Sequence, residues 1–197
     1  MRTLAAVLVA ALLPASLAAA TLEVQVRDAR GAAVRDAVVY AIPDSRAPLA
    51  KRTAVMDQKN RQFIPHVLVV QTGTAVSFPN SDDVRHHVYS FSPAKTFQLP
   101  LYKGTPANPV LFDKPGVVTL GCNIHDSMSA FVVVVDTPFF EKTGADGRVT
   151  LDDVDPGRYS VHVWVADSRG EPHPVNVNLT GDQRVQLSFV ASAHARS

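Results

Sequence analysis

The sequence predicts an all-β protein made of short strands stacked as sandwiches. Period-2 alternation of apolar and polar residues recurs in four separate segments. Continuous β-branched runs of strand length lie between them, and Gly, Pro, Asn and Asp turns punctuate the chain. No amphipathic helical pattern of any length follows residue 20.

Residues 1–20 read as a secretory leader. Arg2 is a short positive region, Leu4 to Leu13 is apolar but too short to span a bilayer, and Ala18-Ala19-Ala20 precedes Thr21 as a cleavage site would require. This implies export, with periplasmic localisation. No later apolar run approaches membrane-spanning length; Phe131 to Val135 is strand-sized. The leader holds one charge, Arg2. The full chain has 19 basic and 18 acidic residues, so the remainder balances 18 against 18. A balanced charge gives no electrostatic case for nucleic acid or an anionic membrane surface. Cys122 is the single cysteine and cannot form an internal disulfide.

The strands follow in order. Leu22, Val24 and Val26 alternate with Glu23, Gln25 and Arg27. Val67 to Val70 and Val132 to Val135 are unbroken apolar runs, as strands buried on both faces require. Tyr159, Val161, Val163 and Val165 alternate with Ser160, His162 and Trp164, which places His162 toward solvent and Trp164 on the outer face, packed at an edge or exposed. Val175, Val177 and Leu179 alternate, as do Val185, Leu187 and Phe189. The expected organisation is a leader over 1–20, a first part over 21–49, a central part over 50–137, a third over 138–190, and a flexible tail over 191–197.

The central part carries the chemistry. Gly121-Cys122-Asn123-Ile124-His125-Asp126-Ser127-Met128 spaces a thiol, an imidazole and a thioether as Cys-x2-His-x2-Met. A tight loop between strands can curl those groups around one point, whereas an extended strand would scatter them over two faces. Together with one more imidazole they suit copper that cycles between Cu(I) and Cu(II). Zinc fits poorly, because structural zinc sites use Cys and His throughout. The fourth ligand should come from Val76 to Val88, which contains His86 and His87. Adjacent strand residues face opposite ways, so only one of the two reaches the metal. The pattern alone does not choose. His66, His173 and His194 read as structural or surface residues.

Phe78-Pro79-Asn80-x5-His86-x-Val88, Phe112-Asp113-Lys114-Pro115-Gly116 and Cys122-x2-His125-x2-Met128 together resemble the cupredoxins, the small blue-copper carriers such as plastocyanin and amicyanin. The resemblance covers residues 54–136. It implies a Greek-key sandwich holding one Cu(I)/Cu(II) ion, with His86 and His125 as imidazole ligands, Cys122 as thiolate and Met128 as weak axial ligand. It also implies single-electron transfer with protein redox partners, a dehydrogenase or a cytochrome, and no catalytic residues. Many chains of this pattern are called methylamine utilization proteins. One departure stands out: where the family usually has Asn after the first ligand, this chain has His87.

The flanks, residues 22–41 and 143–165, resemble the two halves of a carboxypeptidase-regulatory-like, immunoglobulin-like sandwich. This implies a copper domain inserted in, or fused to, a split second sandwich formed by 21–49 and 138–190. The alternative is one enlarged sandwich. Other functions compatible with the chain are a copper-delivery module without electron-transfer duty, and a surface binding module without metal. Cys122 as a catalytic nucleophile lacks an orienting acid and an oxyanion-hole segment.

Overall fold

The computed structural model of the protein describes residues 19–45, 49–106, 108–166, 168, 170–181 and 183–191. The expected leader, apart from its last two residues, lies outside the described residues, as do His194 and the tail from 192 onward. Among the described residues every regular element is a β-strand. No helix there is long and apolar enough to cross a membrane.

Strands β1 (Ala20–Asp28) and β2 (Val38–Pro43) come first. The central part supplies β3 (Thr53–Val55), β4 (Asp57–Lys59), β5 (Gln62–Ile64), β6 (Val67–Gln71), β7 (Thr74–Ser77), β8 (His86–Ser92), β9 (Lys95–Tyr102), β10 (Val110–Phe112), β11 (Gly116–Cys122) and β12 (Ser129–Val135). The chain ends with β13 (Phe140–Lys142), β14 (Arg148–Val154), β15 (Gly157–Trp164), β16 (Val175–Leu179) and β17 (Arg184–Ala191).

The first and last strands fold together. β1 is the middle of a three-stranded sheet, β14-β1-β17, antiparallel to β14 and parallel to β17. β2 enters the facing sheet, β13-β2-β15-β16. Alternation along β1 sends Leu22, Val24 and Val26 inward to meet Val39, Ala41, Tyr159, Val161 and Val163, all buried in one cluster. Each such Val or Leu contributes roughly 1.5–3 kcal/mol by leaving water. At Gly147 the turn into β14 has φ +73, and a Cβ there would come 2.5 Å from the Val26 carbonyl oxygen. Only glycine lets the backbone approach β1 this closely.

The central strands form a second sandwich. A five-stranded sheet, β6-β12-β11-β8-β9, faces the three-stranded sheet β10-β7-β3. Between them Val76, Phe78, Val88, Phe112, Val118, Leu120, Val132 and Val134 make a separate core. The β-branched runs of β6 and β12 pair in parallel, Phe131 opposite Val67 through Val135 opposite Gln71.

Those two runs are apolar on both faces because a third cluster lies behind them. Val67, Val133 and Val135 meet Val38 and Trp164 of the other sandwich, with Tyr40, Phe131 and Phe140 packed alongside. The Phe131 and Trp164 rings lie 5.2 Å apart, edge to face. This corrects the sequence expectation for β15. Its outer face does not meet solvent: Trp164 is buried. His162 is half-buried, stacked on Tyr40 at 5.0 Å. Alternation correctly separates two faces but cannot say that a second sandwich covers the outer one.

Candidate metal centre

β8 and β11 run antiparallel, with Cys122 opposite Val88 and Gly121 opposite Tyr89. Directly opposed residues share a face, and so do residues two apart on one strand. Cys122, Val88 and His86 therefore look into the core, while His87 and Tyr89 look the other way. The burial along β8 agrees: His86, Val88 and Ser90 are buried, and His87 and Tyr89 only partly so. This parity selects His86 over His87 as the residue beside the sulfur.

The loop after β11 brings in the other groups. The Cys122 amide donates to the Met128 carbonyl at 3.2 Å, and the Met128 amide donates to the His125 carbonyl at 2.9 Å. These two bonds close a tight curl in which His125 returns over Cys122. The Asn123 amide donates to the His87 carbonyl at 3.2 Å, tying the loop to β8. His87 thus links the ligand-bearing segments through its main chain. Its ring meets the edge of Tyr89, and its Nε2 is buried without a hydrogen-bond partner.

Ligand atoms of His86, Cys122 and His125 all lie within 4.8 Å of one another. Sγ of Cys122 is 3.7 Å from Nδ1 of His86 and 3.8 Å from Nδ1 of His125. These separations suit two ligands of one ion. With zinc as a gauge, bonds of about 2.3 Å to sulfur and about 2.0–2.1 Å to nitrogen place S and N about 3.6–3.8 Å apart at ordinary ligand angles. His86, Cys122 and Met128 are buried, and His125 is half-exposed. Met128 reaches the same core cluster as Cys122.

A shell of polar groups fixes the first imidazole. Nε2 of His86 is 3.0 Å from Oδ2 of Asp82. That carboxylate also accepts the Arg61 amide at 2.7 Å, and the Asp83 amide reaches its other oxygen at 3.1 Å. The Arg61 amide, then His86, hold the Asp82 carboxyl well below the usual carboxylate range. Buried Asn80 braces the loop, donating through Nδ2 to the Val84 and Tyr102 carbonyls, each at 2.9 Å. Burial pushes the Tyr102 hydroxyl up to about 12, so it stays neutral while it donates to the Phe78 carbonyl at 2.7 Å. Sequence reasoning missed Asp82. The signal was present, an acidic residue two after Asn80 and four before His86, but only the folded loop turns it toward the ring.

The arrangement defines a class of structure: a β-sandwich with a thiol and two imidazoles brought together, built from a strand and a returning loop. Three solved structures are similar to part of this chain. A purple cupredoxin from Nitrosopumilus maritimus is 22% identical, with TM-score 0.37, over 43% of this chain and 99% of that one. The oxidized form of an amicyanin point mutant is 22% identical, with TM-score 0.39, over 49% of this chain and 99% of that one. A Cu-containing nitrite reductase from Thermus scotoductus SA-01 is 23% identical, with TM-score 0.40, over 48% of this chain and 25% of the enzyme, so the chain spans about a quarter of that protein's length. No protein-family model and no curated protein matches the chain.

Proposed function

We propose that the protein is an exported, periplasmic mononuclear copper protein that carries single electrons between redox partners. One observation supports this above the rest: two imidazole Nδ1 atoms converge on a buried thiol at metal-ligand spacing. Thiolate and imidazole bind both copper oxidation states, and the thioether of Met128 would add a further, weak ligand. Bound copper would supply a one-electron couple, held by His86, Cys122 and His125.

The chain's own residues do the remaining work. The β8–β11 pairing and the 122–128 turn hold the ligands in place before metal arrives, which keeps reorganisation between oxidation states small. Burial of His86, Cys122 and Met128 keeps water and outside ligands away. Half-exposed His125 gives the electron a short way out. Ile124 beside it is 49% exposed and supplies an apolar contact for a weak, transient interface with a protein partner. Nothing in this scheme transforms a substrate, so the protein acts as a carrier and not as an enzyme.

Protein-film voltammetry of the copper-loaded protein tests the reading. A reversible one-electron wave is expected. Copper that binds but gives no reversible wave would reduce the function to copper storage or delivery.

A further inference from the structure

We propose that Asp82 is a positioning residue of the metal centre, holding His86 in the Nε2–H tautomer so that the Nδ1 lone pair faces Cys122. The proposal stands on a closed chain of hydrogen bonds. Asp82 Oδ2 lies 3.0 Å from His86 Nε2, and the side chains are 9% and 0% exposed. The carboxylate cannot swing away, because the Arg61 amide donates to the same oxygen at 2.7 Å. Its main chain is held as well: the Asp82 amide donates to Asn80 Oδ1 at 3.0 Å. Arg61 sits in the β4–β5 turn with φ 56, so a separate hairpin locks the carboxylate from the far side.

The chemistry follows from proton placement. A neutral imidazole carries one proton, and whichever nitrogen holds it cannot bind metal. An ionised carboxylate accepts only, so the hydrogen between Asp82 and His86 belongs to Nε2. Nδ1 is then the donor atom, 3.7 Å from the sulfur. A carboxylate behind a ligating imidazole also makes that imidazole a stronger donor, and loss of such a partner costs about 10–100-fold in metal affinity. The stronger donor favours the higher-charged ion. Asp82 should therefore stabilise Cu(II) more than Cu(I) and lower the reduction potential.

Two measurements test this, and only the second rests on the copper reading. The first is the 15N spectrum of imidazole-labelled, metal-free protein. His86 should be protonated at Nε2 in the wild type, with part of the population moving to Nδ1–H in Asp82→Asn. Wild-type His86 protonated at Nδ1 would overturn the proposal, whether or not copper binds, and this arm needs no variant to fold. The second is the potential of the copper-loaded proteins. Asp82→Asn should raise it, by about 59 mV for each tenfold fall in the Cu(II)-to-Cu(I) affinity ratio. Val190→Ala, at an exposed position in the other sandwich, should leave the potential unchanged. A folded, copper-loaded Asp82→Asn with the wild-type potential would also overturn the proposal.

Discussion

Nδ1 of His86 lies 3.7 Å from Sγ of Cys122, although 36 positions separate them in the chain. The β8–β11 register makes this approach, by placing Cys122 opposite Val88 and hence on the face that His86 shares. A slip of one residue would present His87 instead, because side chains alternate with period two. Which of the two histidines faces the sulfur is thus a property of strand pairing and not of local sequence.

His86→Ala should abolish the copper–thiolate absorption band, while His87→Ala should keep it. The His87 ring lies against Tyr89 on the opposite face, and its link to the ligand loop runs through its main-chain carbonyl, which alanine retains. Copper titrations of the two variants, followed by visible absorption, check this.

Gly121→Ala should destabilise the protein by about 1–3 kcal/mol, the usual cost of overpacking. A Cβ at Gly121 would stand 2.7 Å from the Tyr89 ring, which lies across the glycine beside Cys122. Adding Tyr89→Ala should recover part of the loss. Urea unfolding of the single and double variants measures the coupling.

Trp164→Ala should cost about 3–5 kcal/mol, as large-to-small changes in a core do. Trp164 is buried between the sandwiches against Phe131, so its loss opens a gap that neither sheet can close alone. Val190→Ala is the control. That side chain is 63% exposed, and the change should stay within about 0.5 kcal/mol. Chemical denaturation of both variants provides the comparison.

Stability should fall as pH drops below about 6.5, with His162 as one source. Burial lowers the His162 pKa from its ordinary 6.5, partly opposed by the Glu171 charge. The unfolded chain therefore takes up the proton at higher pH than the folded one. The stability lost begins near the unfolded value and stops growing below the folded value. His162→Phe keeps a ring against Tyr40 and should flatten this slope while leaving the behaviour above pH 7 unchanged. Unfolding free energies across pH 5–8 for both proteins decide it.

The strands were legible wherever one face meets a core and the other meets water. β1, β16 and β17 show this alternation directly. β15 shows it too, but alternation reads His162 as solvent-facing and leaves Trp164 at an edge or exposed, while the other sandwich buries Trp164 and Tyr40 stacks on His162. Burial by a distant element leaves no period in the sequence. The short strands β4 and β5 carry no alternation to find, yet their turn holds Asp82 through the Arg61 amide. In the candidate site, the 122–128 loop declares itself because its groups are close in sequence and chemically unusual. The strand partner was legible only to the pair His86 and His87, since parity depends on a register that residues far along the chain set. Asp82 lies four before His86, but that spacing alone could not mark it as a partner, because a spacing of four has no fixed geometry outside a helix.

Copper titration of the purified protein, with visible and paramagnetic-resonance spectra of the same samples, tests whether the centre is a copper–thiolate site. One equivalent of Cu(II) should bind, with an intense sulfur-to-copper charge-transfer band that Cys122→Ser eliminates. Failure to take up copper, or uptake whose spectrum is the same in wild type and Cys122→Ser, would contradict it.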